Sequence, residues 1–305
     1  MIKRDRHHNI TWIQVNNPTP EEIEEISEEF LLNYSVREEI SGTSLSSKFD
    51  IDHNNDSALI ILHFPTLSGA VKGGRKEEID FIISKRWLIT ITYDDALKLF
   101  DTEEVTTKVY SEHKMEEVTA SHIALKIIRR KYKMCNKDLD AIEKKLVQVE
   151  NQIFNGNEGA MVGNISEIIH KLMDFDHSIS RHHSVMMNYR EYCNINYGDY
   201  IDEEFRKRDD LYDDIYSRIK SLRDTTDEFK DTNDSLLQHK TADAMKTLTM
   251  MSFVIFPLSL IAGVFGMNAK SMPIIGSNYD FYIILGIMLT ATLLMFTYFK
   301  FKKWL

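Results

Sequence analysis

Four aspartates, Asp209, Asp210, Asp213 and Asp214, form two adjacent pairs inside a stretch of 58 residues, Asp199 to Phe256, that holds no Gly and no Pro. Residues three and four apart on a helix share a face. Acids gathered there, facing an adjacent subunit, repel unless a cation bridges them. They are therefore candidate ligands of a divalent ion held between subunits, with a solvated acidic face as the bland alternative. Farther on, Asp231, Asp234 and Gln238 continue the same stretch. Helical spacing then puts Met245, Leu248, Ser252, Phe256, Ser259 and Gly263 on one stripe that mixes bulky apolar groups with small polar ones. In a homo-oligomer, rings of Met245, Leu248 and Phe256 would form a constriction that gates by dewetting. The acids before it could receive an ion; plain helix packing is the other reading. His170, Asp174 and His177 share a helix face by spacing and are a further candidate, for a transition metal, against a polar helix surface. No phosphate-cradling Gly-rich loop, nucleophile elbow or paired metal motif is present, which argues against an enzyme and against an organic cofactor.

The elements that must hold these residues are segregated by charge. Of the chain's net charge of −10, residues 1–240 carry −13 and residues 241–305 carry +3. An acidic body argues against nucleic acid, which wants a basic face, and suits a cation as partner. The tail holds two uncharged runs, 23 residues between Lys246 and Lys270 and 19 between Asp280 and Lys300. A helix needs about 20 apolar residues to cross a bilayer, so both qualify as spans. The short link KSMPIIGSNYD makes them an antiparallel hairpin. Lys240 and Lys246 precede the first span, and Lys300, Lys302 and Lys303 follow the second. The positive-inside rule then puts both termini in the cytoplasm and the link outside. Tyr279, Tyr282, Tyr298 and Trp304 fall where interfacial aromatics sit. The start, MIKRDRHHNI, is polar and reads as no signal peptide. Cys135 and Cys193 lack CxxC spacing and read as reduced thiols.

The breaker-free stretch predicts one continuous helix from cytoplasm into bilayer, about 87 Å long if wholly helical. Leu211, Ile215, Ile219, Leu222, Phe229 and Leu236 give it an apolar seam that must pack on copies of itself or on other helices. Thr226 and Asn233 interrupt that seam. Upstream, two charged amphipathic helices are expected over 112–153 and about 163–196, with FNGNEGAMVG and its Gly156, Gly159 and Gly163 as the turn. The runs ITWIQV, SALIILHFP, EEIDFIISK and RWLITITYD read as strands, with a helix at NPTPEEIEEISEEFLLN that starts on Pro and acids.

At Phe265-Gly266-Met267-Asn268 the first span closes on Gly-Met-Asn, followed by a short loop containing Met272-Pro273. Together with W-x-x-V-x-N-P-T-P-E-E (Trp12 to Glu22), LHFP (Leu62–Pro65) and KKWL (Lys302–Leu305), this resembles the CorA family of magnesium transporters. The resemblance implies an α+β cytoplasmic domain, a long stalk helix and two transmembrane helices, assembled as a funnel-shaped homopentamer. It divides the chain into an α/β domain over 1–110, a helical hairpin over 111–198, the stalk over 199–245, a first span over 246–268, an external loop over 269–280, a second span over 281–299 and a basic tail over 300–305. It further implies a multi-pass protein of the cell inner membrane whose first span lines the pore. Gly266, Met267 and Asn268 would form the selectivity filter, and intracellular Mg2+ between subunits would hold the pore shut. Two departures stand out: Phe265 where the family usually has Tyr, and Lys270 in a loop that is often acidic.

Mg2+ is small and sheds water reluctantly. A ring of carboxylates would bind it tightly and slow it. A ring of Asn268 amides instead offers neutral carbonyl oxygens to the waters of a hydrated ion, so selection rests on ring size and hydrogen-bond geometry. Met267 reads as a packing residue, since a thioether is a poor ligand for a hard cation. Related zinc carriers tend to have Ile there, which favours Mg2+. Zn2+, Co2+ or Ni2+ transport on the same fold, and a membrane-anchored sensor that conducts nothing, are the alternatives.

Overall fold

The computed structural model describes residues 2–67, 76–93, 101–115, 117–198, 201–267 and 279–302. Two units divide the chain, Met1–Lys230 and Asp231–Leu305.

The first unit is built on a six-stranded sheet in the order β1-β2-β6-β5-β4-β3. The strands are β1 (Ile2–His7), β2 (Ile10–Asn16), β3 (Lys48–Asp52), β4 (Ser57–Pro65), β5 (Lys76–Ile83) and β6 (Trp87–Thr92). β2 and β6 run parallel and every other pair is antiparallel. β4 is buried at every position, as a strand covered on both faces must be. One face carries Ile13, Val15, Leu59, Ile61, Ile82, Ile89 and Ile91 against Ile23 and Ile26 of α1 (Pro20–Glu29) and Val36 of α2 (Tyr34–Glu39). The expected Pro-and-acid start of α1 is a capping box. The Glu22 N–H donates to Thr19 Oγ1 at 3.3 Å, and the Thr19 N–H donates to Glu22 Oε2 at 3.1 Å. The other face packs on α4 (Ala120–Phe154), α5 (Glu158–Ile179) and α6 (His182–Tyr197).

Several expectations change here. β1 and β3 were not expected as strands, because both are sheet edges with polar, half-exposed positions rather than apolar runs. A further helix, α3 (Thr102–Glu112), stands before the helical segment. The expected hairpin is three helices, not two. The turn is only Asn155–Asn157, closed by Gly156 at φ 90°, the one residue there that needs the left-handed region. Gly159 and Gly163 lie inside α5. A second break, Ser180–Arg181, separates α5 from α6 with neither Gly nor Pro to announce it. There the buried His182 Nδ1 lies 3.0 Å from Tyr132 Oη. Cys135 and Cys193 are free and buried, and burial pushes each thiol up to about 12, which leaves both inert.

The long helix, α7 (Asp202–Phe265), is uninterrupted over 64 residues and contains Pro257. Pro257 has no N–H, so the Phe253 carbonyl loses its helical donor. In the first unit the seam residues Ile215, Ile219 and Leu222 are buried within the single chain. The seam is satisfied here by the chain's own helices rather than by copies. Arg218 ties it to α4, donating to Asn136 Oδ1 at 3.0 Å and Asp140 Oδ1 at 2.6 Å. Thr226 is fully buried and donates to the Leu222 carbonyl at 2.6 Å, so its polar group is answered within the helix. The second unit consists of the rest of α7 and of α8 (Asp280–Phe301).

Candidate functional site

In the second unit both helices carry an apolar window, of mean hydropathy 2.1 in α7 and 1.9 in α8, and neither window is buried within the chain. Such surface needs lipid or neighbouring copies to cover it. α8 takes one side of α7. Met250, Met251, Val254 and Ile255 border an apolar cavity with Phe296 and the buried Phe299. Among the apolar residues of this segment, Met250, Val254, Leu258, Ile261 and Phe265 are half-buried, as is Pro257.

The candidate stripe lies on the other side. At about 100° per residue, Met245, Leu248, Ser252, Phe256, Ser259 and Gly263 cluster roughly opposite the α8 side of α7. Met245 and Leu248 are each 59% exposed and Phe256 is 72% exposed. Ser259 and Gly263 are exposed as well. Ser252 is half-buried and its hydroxyl donates to the Leu248 carbonyl at 3.0 Å, so its polar group is already answered inside the helix. Asp231, Asp234 and Gln238 are all exposed and continue the same side of the helix by the same spacing. One chain thus leaves this stripe of α7 uncovered, with acids before it and the Gly-Met-Asn segment after it, and leaves Met251, Phe253, Ile255, Leu260 and Val264 exposed beside it for lipid or neighbouring helices to cover.

At that far end, Gly266 donates its N–H to the Ala262 carbonyl at 2.9 Å. A Cβ on Gly266 would meet that same carbonyl oxygen at 2.9 Å. The glycine is needed for close approach of the backbone, not for a left-handed φ, which distinguishes it from an ordinary glycine helix stop. Met267 donates its N–H to the Val264 carbonyl at 3.3 Å, and its side chain is 62% exposed. Asn268 lies outside the described residues, as do Lys270, Met272 and Pro273.

The aspartate cluster separates into two kinds. Asp209 is half-buried between two guanidinium groups: Arg208 Nη2 lies 2.6 Å from its Oδ1 and Arg190 Nη1 lies 3.6 Å from its Oδ2. Arg208 is fully buried. His182 nearby adds no charge, because burial holds its imidazole down at about 3 and the charge of Arg208 pushes the same way. Asp214 accepts from Asn136 Nδ2 at 2.7 Å. Asp210 and Asp213 are exposed and have no partner among the described residues. No group of three or more His, Cys, Asp or Glu side chains converges as a metal site among the described residues of one chain. His170 is exposed, and only Asp174 and His177 of that trio line a common cavity. Sequence reasoning missed Arg190, because its partnership with Asp209 joins α6 to α7 and no spacing rule connects the two helices; it also passed over Arg208, the neighbour of Asp209 in the chain, because only the fold shows that this guanidinium is buried. Arg190 also donates to Asp202 Oδ1, through Nε at 2.8 Å and Nη2 at 2.5 Å, and that pairing holds the Asp202 carboxyl below its ordinary range.

Comparison with known proteins supplies the remaining finding. A family model described as CorA-like Mg2+ transporter protein matches residues 7–303. The magnesium transport protein CorA of Campylobacter jejuni is 25% identical over 315 residues, which is 97% of this chain and 92% of that protein. The cobalt/magnesium transport protein CorA of Thermotoga maritima is 34% identical over 99 residues, only 30% of this chain and 28% of that protein. The complete structure of the CorA magnesium transporter from Methanocaldococcus jannaschii superposes with a TM-score of 0.78 at 20% identity, over 99% of this chain and 93% of that one.

Proposed function

The chain belongs to the CorA-like Mg2+ transporter family, a family of membrane transporters rather than enzymes, and from that membership we propose that it carries Mg2+ through a homopentameric pore lined by α7. The composition of the α7 stripe carries this reading most directly. It presents Asp231, Asp234 and Gln238, then Met245 to Gly263, and leads to Gly266-Met267-Asn268. A membrane anchor has no need of an uncharged stripe with a ring of amides at its end.

Five copies of this face would enclose a path whose Met245, Leu248 and Phe256 rings exclude water when close together. Asn268 carbonyls would meet the waters of a hydrated ion and select by ring size. Both termini would lie in the cytoplasm of an inner-membrane protein, with residues 269–280 outside. Cytoplasmic Mg2+ would regulate the pore by bridging Asp210 and Asp213 of one subunit to a neighbour, since these are the cluster acids left without a partner. Asp209 serves a different purpose, neutralising Arg208 and Arg190.

The ion itself has a competitor. One relative is named for cobalt as well as magnesium, so Co2+ belongs in every flux comparison. Assembly is tested by native mass spectrometry in mild detergent. A pentamer is expected, and a monomer or dimer would sink the pore.

A further inference from the structure

A cavity of about 490 Å3 lies in the first unit, bordered by residues before β3, the start of β5 and the junction of α5 with α6. Its volume falls in the range of about 300–1,000 Å3 that small-molecule sites occupy. Its lining sets two cations, Arg181 and Lys76, that make no ion pair among the described residues beside one carboxylate, Asp174.

Elsewhere in the unit, Arg4, Arg130, Lys131 and Arg218 each lie within 3.1 Å of a carboxylate oxygen. Arg181 does not: its Nη1 donates only to Ser46 Oγ, at a long 3.4 Å. Lys76 Nζ donates to the Leu45 carbonyl at 3.1 Å. Neither has a carboxylate partner among the described residues. The His177 ring likewise has no partner among them, and it lines the same cavity. Another nearby carboxylate, Glu78, is occupied. Both its oxygens accept from the Ser44 N–H, at 2.8 and 2.9 Å, and its Oε2 lies 3.1 Å from Nε2 of the buried His63. Serine hydroxyls, among them Ser178 and Ser180, complete the wall.

We infer that this cavity binds a small anion bearing a phosphate group, held by Arg181 and Lys76. A guanidinium offers a phosphate two parallel N–H donors and a lysine adds a point charge. The Ser46 hydroxyl, which accepts from Arg181, keeps its own proton to donate to a remaining oxygen. Arg181 also immediately precedes α6, whose first turn has no side-chain cap and so favours negative charge. The volume exceeds what bare phosphate fills, and Asp174 in the lining can accept from a hydroxyl or amine on an organic part. The inference stands apart from the transport reading, since none of these residues belongs to α7.

Isothermal titration of the full-length protein in detergent and Mg2+-free buffer, with ADP and with inorganic phosphate, tests it. Saturable binding to the parent is expected, weakened about tenfold or more in Arg181→Gln/Lys76→Gln. Both side chains are exposed, so the fold should survive, and Arg181→Lys gives a milder second variant expected to bind with intermediate affinity. Lys133→Gln, in a separate basic groove between α3 and α4, should leave binding unchanged. Equal affinity for the two probes assigns the site to free phosphate; tighter ADP binding shows that an organic part is also held. The inference is overturned if neither probe binds the parent saturably, or if the Arg181 variants bind as the parent does.

Discussion

Asn268→Ala is expected to lower Mg2+ flux by about tenfold or more while pentamer yield stays normal. The reasoning is one of hydrogen bonds to a charged object. The waters of hydrated Mg2+ are strongly polarised donors, and a hydrogen bond involving a charged partner contributes about 1.5–3 kcal/mol. A ring of amides would lose one such contact per subunit. Even one uncompensated loss in the rate-limiting position is worth about a factor of ten. Pentamer yield and thermal stability of the variant, measured alongside, separate loss of the ring from loss of the fold. Met267→Leu, which keeps an apolar side chain of similar size, should transport like the parent. Uptake into dye-loaded liposomes measures both. If Asn268→Ala conducts Mg2+ as the parent does, the selectivity ring is elsewhere.

The second large effect concerns shut-off by cytoplasmic Mg2+. Asp210→Asn/Asp213→Asn should give flux that no longer falls when Mg2+ is raised on that side, and a cytoplasmic domain that Mg2+ no longer protects from protease. An ion shifts a closed–open equilibrium only by its difference in affinity for the two arrangements. Five equivalent bridges of about 1–2 kcal/mol each would together hold the pore firmly shut. The choice of acids matters. Replacing all four would also remove Asp209, which lies 2.6 Å from the fully buried Arg208. A buried charge stripped of its partner costs about 3–5 kcal/mol, so Asp209→Asn should lower thermal stability and confuse a regulatory defect with a folding one. The Asp210 and Asp213 pair, exposed and unpartnered, isolates the regulatory question. A pair variant that keeps both Mg2+ responses would make these acids a solvated face.

Much of the architecture was legible in the sequence because it rests on long-range monotony. The two uncharged runs and the absence of Gly and Pro from Asp199 to Phe256 needed no tertiary information to read. The structure carries the helix through Pro257 to Phe265, which fits a span whose neighbouring turns hold the helix around one missing donor. What failed was local. Gly159 and Gly163 read as turn residues, yet only Gly156 occupies a left-handed position; a glycine permits a turn without requiring one. β1 and β3 escaped notice because edge strands bury too little to show an apolar pattern. The α7 seam is buried at Ile215, Ile219 and Leu222 and half-buried at Leu211, Phe229 and Leu236, and periodicity cannot say whether the cover comes from the same chain or a copy. The site was legible in the same uneven way. The stripe from Met245 to Gly263 followed from helical spacing alone. The different duties of Asp209 and Asp210 did not, since only the fold buries Arg208 beside Asp209, brings Arg190 to it and leaves Asp210 exposed.

The most direct test is ion entry into sealed liposomes that hold the purified parent chain, loaded with a Mg2+-sensitive dye and compared with Co2+ and Zn2+ in parallel. Saturable Mg2+ entry, faster than that of either competitor and lost in Asn268→Ala, is the expected result. No entry above that of protein-free liposomes, from a preparation shown to be pentameric and folded, would contradict it and leave the chain a membrane-anchored sensor that conducts nothing.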